Sequence, residues 1–356
     1  MPDLGAEVAI VGLAAVFPGA ADADAYWHNL VRGHDAITEV PAGRWDPVYF
    51  DPAATAVDRF YCRRGGFIDE QAGFDPIAFG IMPVTVQGAE PDQLLALHVA
   101  ARALADAGLT ERLPRERTGV ILGRGGYLTP GMARLSQRVR TGQQLATTLG
   151  ELWPELDAAT LDRVRAAFSA RAGELGAEAA IGLVPNLAAS RIANRLDLRG
   201  PAYTVDAACA SSLVAIDQAC GELARGRCDV VLAGGVHVCH DVTFWSVFTQ
   251  LGALSRAQQI RPFDRRADGI LIGEGAGVVV LKRRADAERD GDRIYAIIRG
   301  TGVASDGRES SPMRPRLAGQ VAAMAQAWRE AACDPTSVGL IEAHGTATAT
   351  GDAVEL

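Results

Sequence analysis

A single cysteine stands among small residues in the stretch "VDAACASSLVAI" at residues 205–216. The run "AYTV" at 202–205 has the β-branched and aromatic content of a short strand, and apolar residues recur at helical spacing further on. Cys209 therefore lies at a predicted strand-to-helix corner, with Ser211 or Ser212 as the candidate cap of the helix. The alanines beside Cys209 permit a tight corner and the close approach of a substrate.

Two roles for Cys209 fit this position. A thiol at a helix N-terminus lies near the positive end of the helix dipole, which favours the reactive thiolate. Hydrolases place a nucleophilic serine at the same kind of corner. A lone cysteine, however, is more often a small buried apolar residue, and the local sequence by itself favours that role.

A histidine follows another apolar run in "SVGLIEAHGTATATGDAVEL" at residues 337–356. The run predicts a buried strand over 337–345 with His344 at its end, and a helix that starts near Asp352. In open α/β sheets, chemistry collects beyond the carboxyl ends of the strands, where both Cys209 and His344 are predicted. Such a pair can act as nucleophile and acid/base, while a histidine that only caps a turn stays an alternative on spacing alone.

The elements that must position these residues alternate along the chain. Continuous apolar runs, typical of strands buried on both faces, alternate with helical segments such as 92–108 and 319–333. This alternation predicts an α/β fold in which helices cover the sheet. The predicted strands occupy residues 6–12, 118–125, 202–206, 229–238, 275–283, 293–304 and 337–345.

Two segments depart from the alternation. Residues 131–180 have an amphipathic helical pattern with no strand, which predicts a helical insert on the surface or at an interface. The hydrophilic stretch "RRADAERDGDR" at 283–293 separates a long first part from a second part that restarts with a strand. We therefore predict two domains, at residues 1–285 and 286–356.

The composition restricts the classes of function. The net charge is −8 at pH 7 and no basic stripe follows the chain, which argues against a nucleic-acid surface. We expect no membrane span and no signal peptide, because no apolar run is long enough and no basic segment leads into the first one. The six cysteines lack a disulfide spacing and predict free thiols in a reducing cytoplasm.

Three further motifs have weaker interpretations. "HVCH" at 237–240 offers two histidines and one cysteine, but zinc takes four ligands, so we expect no metal site. "GEGAG" at 273–277 precedes a strand, whereas a dinucleotide-binding fingerprint follows one, and we interpret it as a turn. A basic cluster fits either the docking of an acidic carrier protein or a salt-bridged, solvated face. It comprises Arg256, Arg261, Arg265 and Arg266.

Motifs that run nearly end to end resemble the β-ketoacyl synthase (ketosynthase) domains of polyketide and multifunctional fatty-acid synthases. They are "VAIVGLAAVFPGA", "VPAGRWDP", "FDPIAFGI", "GPAYTVDAACASSLVAI", "AGGV", "RPFDRRADGILIGEGAGVVVLKR" and "EAHGTATATGDAVEL", in the family's order. The resemblance decides against the buried role for Cys209. "EPDQ", "FYCRRGGFID" and the helical insert are more similar to iterative synthases of polyunsaturated fatty acids and glycolipid chains.

The resemblance implies a fold and a set of site residues. The fold is the thiolase type, in which two similar halves form an αβαβα layered arrangement, usually in a homodimer. The family's nucleophile falls on Cys209 and the first of its two catalytic histidines on His344. Thr346 and Thr348 match hydroxyls that contact the phosphopantetheine arm. Glu355 matches an acidic residue that supports the catalytic residues without being one of them.

The implied chemistry is a decarboxylative condensation. The Cys209 thiolate takes an acyl chain from a carrier thioester, and the enolate from malonyl-carrier then attacks it. His344 would stabilise the enolate oxygen, and backbone N–H groups near Cys209 the acyl oxyanion. The resemblance implies no metal, nucleotide or other intrinsic cofactor, only substrates on phosphopantetheine. The implied partners are the acyl carrier protein and other synthase domains such as an acyltransferase.

The resemblance stops at Leu356. The family continues with a second catalytic histidine beside a lysine and with a glycine-rich loop that completes the oxyanion hole. We therefore expect part of a longer synthase, with the second half of the fold incomplete and the condensation not completed by this chain alone.

Two alternatives to the enzyme are a non-catalytic partner of the chain-length-factor type and a Cys–His hydrolase. The intact Cys209 favours the enzyme over the first, and the context of the motifs disfavours the second.

Overall fold

The computed structural model describes residues 7–55, 57–86, 88–173, 176–238, 241–308 and 314–356. Its strands form a large sheet and a small one. They are β1 (Val8–Val16), β2 (Thr38–Glu39), β3 (Arg64–Gly66), β4 (Thr118–Gly123), β5 (Ala202–Val205), β6 (Val230–His237), β7 (Ile272–Gly273), β8 (Gly275–Arg283) and β9 (Ala296–Ile298).

The helices lie between these strands and after the last of them. They are α1 (Ala23–Arg32), α2 (Pro83–Val86), α3 (Pro91–Asp106), α4 (Pro130–Ser136), α5 (Gly142–Leu152), α6 (Ala158–Ala170), α7 (Ala177–Gly182), α8 (Leu187–Arg195), α9 (Ser211–Ala224), α10 (Val242–Gln250), α11 (Arg284–Asp290), α12 (Leu317–Ala331) and α13 (Ala349–Glu355). Within the described residues, no helix is both long enough and apolar enough to cross a membrane.

The large sheet has the strand order β5-β4-β6-β8-β1-β9. Strands β5, β4 and β6 run parallel, β8 is antiparallel to both of its neighbours, and β9 pairs antiparallel with β1. The carboxyl ends of parallel strands meet at one edge of a sheet. The residues that follow β4, β5 and β6 are therefore brought together at one edge, and Cys209 follows β5.

Helices cover both faces because successive residues of a strand point to opposite sides. In β4, Val120 and Leu122 join the core that includes α3 and α8, whereas Ile121 joins the core that includes α9. The same alternation continues in β6, where Leu232 lies on the first side and Val231 on the second. All of β4 is buried, which explains its continuous apolar run.

The predicted α/β class is confirmed, and β1, β4, β5, β6 and β8 lie where the apolar runs predict them. The strand predicted over 293–304 is limited to β9, and the strand predicted over 337–345 is wrong. Leu340 and Ile341 in that segment are 84% and 79% exposed. A strand forms by exchanging backbone hydrogen bonds with a neighbour, and none of the described strands pairs with these residues.

The segment 131–180 is helical, as predicted, and its described residues contain no strand. Helices α4 to α7 and one π-helical turn at Gln137–Thr141 occupy it. The insert is tied to the start of α3 by two buried hydrogen bonds. Glu90 Oε1 accepts from the Gly131 N–H at 2.9 Å, and Gln93 Nε2 donates to the Gly182 carbonyl at 2.7 Å.

Candidate active site

The corner between β5 and α9 carries Cys209 and is as tight as the small residues predict. Ala208 has φ = 50°, a left-handed conformation that costs a residue with a Cβ about 1–2 kcal/mol. Asp206 stabilises this turn, because its Oδ1 accepts from the Ala208 N–H at 3.0 Å. Local hydrogen bonds to the backbone, rather than packing of the Cys209 side chain, thus hold this residue at the start of α9.

Ser211 completes the corner in a way that the sequence did not predict. Its Oγ accepts from the Ala207 N–H at 2.9 Å and donates to the Ala208 carbonyl at 2.6 Å. The cap position of α9 is Ala210, which makes no side-chain capping bond. The prediction of Ser211 or Ser212 as the cap is therefore wrong, because the Ser211 hydroxyl is used to close the corner behind Cys209.

A glycine at the end of β4 lets α9 approach the edge of the sheet. A Cβ atom on Gly123 would lie 2.5 Å from the carbonyl carbon of Ser211, so any larger residue would push the corner away. The sequence pattern predicts Gly123 only as part of a strand and does not predict the close approach of α9. Its position directly after a fully apolar run was the one sequence feature that could have indicated this approach.

His344 lies in the irregular segment before α13 and is held through its backbone. Glu355 Oε1 accepts from the His344 N–H at 2.5 Å, and Oε2 accepts from the Gly345 N–H at 2.8 Å. Gly345 has φ = 52° and packs against Pro262, which favours glycine at this position. The glutamate therefore fixes the loop that carries the imidazole and places a negative charge near it.

Asp352 joins the same loop to a distant part of the chain. It is buried, and its Oδ1 accepts from the Ala347 N–H at 2.9 Å. Its Oδ2 accepts from the Phe263 N–H at 2.6 Å. The carbonyl of Ala347 in turn accepts from the Gly269 N–H at 2.9 Å. These bonds dock the His344 loop onto residues 263–269.

The structure brings Cys209 and His344 together, although the difference between their positions along the chain is 135 residues (344 − 209). The neighbouring His344 imidazole lowers the pKa of the Cys209 thiol, against the opposing effect of burial. The neighbouring Cys209 raises the pKa of His344 in turn, and the charge of Glu355 adds to this effect. Both changes favour a thiolate beside an imidazolium, which is the activated state of a nucleophilic cysteine.

A cleft of about 510 Å³ opens beside Cys209. Its volume lies in the range of pockets that hold small organic ligands. Most of its lining is apolar, including Phe17, Ile216, Val236, Phe244, Phe248 and Val279. The arrangement can therefore present a thiolate to the end of an apolar chain.

Two family profiles match the chain over nearly its whole length. One is described as "Beta-ketoacyl synthase, N-terminal domain" and matches residues 6–287, and the other as "Beta-ketoacyl synthase, C-terminal domain" and matches residues 295–356. The chain belongs to the β-ketoacyl synthase family. The resemblance stated from the sequence motifs is confirmed.

Among curated relatives, this ketosynthase is 37% identical to polyketide synthase PksN of Bacillus subtilis, over 98% of the chain and 6% of the relative. It is 34% identical to one subunit of the polyunsaturated fatty acid synthase of Thraustochytrium sp., over 99% of the chain and 12% of the relative. The chain thus spans a small part of these relatives.

Solved ketosynthases have the same fold. The oxazolomycin ketosynthase domain OzmH KS7 of Streptomyces albus matches with a TM-score of 0.81 at 32% identity, over 98% of this chain and 54% of that chain. A structure titled "PfaC Keto synthase-Chain length factor" matches with a TM-score of 0.86 at 32% identity, over 98% and 37% of the two chains. The expected thiolase-like fold is confirmed by these matches.

The other thiols of the ketosynthase differ from Cys209 in their surroundings. Burial raises the pKa of Cys220 to about 12 and that of Cys228 to about 11. Burial also raises the pKa of Cys62. These three thiols stay protonated at neutral pH, whereas the pKa of Cys209 is lowered.

Thr346 and Thr348 lie next to His344 and contact each other. Their Oγ1 atoms are 2.9 Å apart, and the Thr348 hydroxyl caps α13 by accepting from the Gly351 N–H at 3.1 Å. Both residues are partly exposed. Their contact with a phosphopantetheine arm stays a prediction.

The interpretation of "GEGAG" as a turn is wrong, because residues 273–277 form the end of β7 and the start of β8, and they line the cleft beside Cys209. Cys239 and His240 of "HVCH" lie outside the described residues, and the described part of the chain holds no cluster of metal-binding side chains. In the basic cluster, Arg256 lies over the Tyr61 ring at 4.0 Å, and Arg266 pairs with Asp264 at 3.1 Å. The first is a cation–π contact and the second a local ion pair, so the docking of a carrier protein stays a prediction.

We expect the substitution Glu355→Gln to lower the reactivity of Cys209 a few-fold at pH 7. The amide keeps one acceptor for the two loop N–H groups, and it removes the charge that raises the pKa of His344. The measurement is the rate of alkylation of Cys209 by iodoacetamide, followed by mass spectrometry. Glu342→Gln is the matched control, because this exposed carboxylate makes no hydrogen bond to a described residue. Equal rates for the two variants would contradict the role of Glu355.

Proposed function

We propose that this ketosynthase transfers an acyl group from a carrier-bound thioester to Cys209 and extends it by decarboxylative condensation with a malonyl unit. The observation that carries the proposal is the pairing of the Cys209 thiol with the His344 imidazole beside an apolar cleft. The lowered thiol pKa supplies thiolate near neutral pH, and the cleft has room for the acyl chain.

The first half-reaction is a transthioesterification. The Cys209 thiolate attacks the thioester carbonyl, the new bond from Sγ to carbon forms, and the oxygen becomes an oxyanion. Backbone N–H groups at the start of α9 stabilise that charge. The bond from carbon to the pantetheine sulfur then breaks, and the departing thiolate takes the proton from the His344 imidazolium.

The second half-reaction forms the carbon–carbon bond. The bond between the malonyl α-carbon and its carboxylate breaks, carbon dioxide leaves, and the electron pair forms an enolate. His344, now neutral, donates a ring N–H to the enolate oxygen. The enolate carbon attacks the acyl carbonyl on Cys209, and the sulfur leaves as a thiolate. In the family a second histidine shares this step, and it is not among these 356 residues.

The proposal includes the partners that such chemistry requires. An acyl carrier protein delivers both acyl groups on phosphopantetheine, with Thr346 and Thr348 as hydroxyls for the arm. We propose further that the domain acts as a homodimer beside other synthase domains such as an acyltransferase, in the cytoplasm. The similarity to polyketide and polyunsaturated fatty acid synthases supports this setting.

A second candidate function is that of a non-catalytic partner of the chain-length-factor type. It is favoured by the match to the structure titled "PfaC Keto synthase-Chain length factor". Non-elongating members of the family commonly replace the nucleophilic cysteine, whereas this chain has Cys209 paired with His344. The catalytic function is therefore the one we propose.

The test is intact mass spectrometry after incubation with an acyl-pantetheine thioester, because this chain supplies the nucleophile Cys209 and the proton donor His344 of the proposed acyl transfer. We expect one acyl adduct per chain, none in Cys209→Ala, and an unchanged adduct in Cys333→Ala, which removes another thiol that is not fully buried. No adduct on folded wild-type protein would contradict the acyl transfer and favour the non-catalytic partner. An adduct that persists in Cys209→Ala would contradict the assignment of the nucleophile.

A further inference from the structure

Arg124 is a buried charged residue that the proposed mechanism does not use. It follows β4 directly, and its side chain is only 5% exposed. Its Nε donates to Asp92 Oδ2 at 2.5 Å, in the first turn of α3. Neither of its two terminal nitrogens donates a hydrogen bond to any residue of the described ranges. The carboxylate oxygen Oδ1 of Asp92 also has no partner there.

The surroundings of Arg124 place it on the cleft of Cys209. Arg124 lines the cleft of about 510 Å³ that Cys209 also lines. It also lines a smaller cavity of about 30 Å³, and His237 and Phe244 line both spaces. A guanidinium carries five N–H donors, and buried donors of this kind are nearly always paired. The terminal nitrogens of Arg124 are therefore available to an acceptor that occupies one of these spaces.

The local charges indicate which acceptor fits. Asp92 already neutralises the positive charge of Arg124. Three further acidic residues line these spaces: Glu90 and Asp241 line the smaller cavity, and Glu274 lines the cleft, where it forms an ion pair with Arg44 at 2.5 Å. A second carboxylate would be repelled by Asp241, which forms no ion pair with a residue of the described ranges. A neutral hydroxyl or carbonyl oxygen accepts the same hydrogen bonds without that repulsion.

We propose that Arg124 is a specificity-determining residue that selects acyl chains bearing a hydroxyl or carbonyl oxygen. The inference rests on the proposed function, because the acyl chain on Cys209 would occupy this cleft. A chain with such an oxygen gains the hydrogen bonds that the terminal nitrogens of Arg124 lack. A fully saturated chain of the same length leaves these donors unpaired in an otherwise apolar cleft, which penalises its binding.

The test is a competition between acyl-pantetheine thioesters of equal chain length. Hexanoyl, 3-hydroxyhexanoyl and 5-oxohexanoyl thioesters are mixed in equal amounts, and mass spectrometry gives the ratio of the adducts on Cys209. We expect the wild-type protein to favour one or both oxygenated chains. The double variant Arg124→Met with Asp92→Asn removes both members of the ion pair, so no buried charge is left unpaired. We expect this variant to lower the preference about ten-fold.

Two single variants sharpen the result. Asp92→Asn keeps the guanidinium and should retain the preference for oxygenated chains. Arg124→Lys keeps the charge but loses the planar pair of donors, and should give an intermediate ratio. The same ratio in the wild-type protein and the double variant would overturn the proposal, and ordered water would then be the partner of Arg124. A wild-type preference for the hexanoyl chain would also overturn it. If no thioester acylated Cys209, the proposed function itself would fail.

Discussion

Replacing His344 with alanine should slow the alkylation of Cys209 at pH 7 by about ten-fold or more and move its pH profile to higher pH. In the wild-type chain, the neighbouring His344 imidazole lowers the pKa of Cys209 and outweighs the opposing effect of burial. Without the imidazole, burial remains and acts alone to raise that pKa. The thiolate fraction at neutral pH then falls, and the rate of any reaction of the thiolate falls with it.

The measurement is the rate of iodoacetamide modification of the Cys209 peptide between about pH 5 and pH 10, a range that spans the ionisation of a perturbed thiol. The sign follows from the direction of the shift: the rate rises as the thiol ionises, so a lowered pKa places the wild-type inflection at lower pH than that of the variant. His344→Gln keeps a hydrogen-bonding group without the charge and should lie between the two. His34→Ala, which removes an exposed imidazole, is the control. Coincident profiles for His344→Ala and the wild type would show that the two side chains are not coupled.

The sequence predicts the central sheet well because burial on both faces leaves a clear pattern. Strands β4, β6 and β8 are continuous apolar runs, and each is covered by helices on both sides. The apolar run over 337–345 has the same appearance, yet it forms no strand. Periodicity reports the side chains of one segment, whereas a strand also needs a neighbour with free backbone groups.

Residue type and motif predict the candidate site residues, but they do not predict the residues that hold them in position. Cys209 and His344 are residue types that carry chemistry, and the motifs around them identify the family. The hydroxyl of Ser211 was expected to cap a helix, and only the three-dimensional path of the backbone shows that it closes the corner instead. Arg124 falls near the end of the strand predicted over 118–125, and its sequence context gives it no role in the site. Its partner Asp92 lies 32 residues away, so their pairing is visible only in the fold.

Asp352 leads to the second large prediction, which concerns a residue that does not touch Cys209. Its two carboxylate oxygens accept from the buried N–H of Ala347 and from the N–H of Phe263, which is 89 residues away along the chain. Asp352→Ala removes both acceptors at once. Because an unsatisfied buried N–H costs about 1–3 kcal/mol, the docking of the His344 loop should weaken by about 2–5 kcal/mol.

This loss should appear as local opening rather than as global unfolding, since no residue of the loop belongs to the two cores that cover the large sheet. Amide hydrogen exchange at residues 344–349 should accelerate in Asp352→Ala, while exchange in β4 and β6 stays unchanged. Asp352→Asn keeps one acceptor oxygen and should lie between the variant and the wild type. An open loop no longer holds His344 beside Cys209, so the alkylation profile of Asp352→Ala should approach that of His344→Ala. Faster exchange with an unchanged alkylation profile would contradict this account, because it would separate the position of the loop from the activation of the thiol.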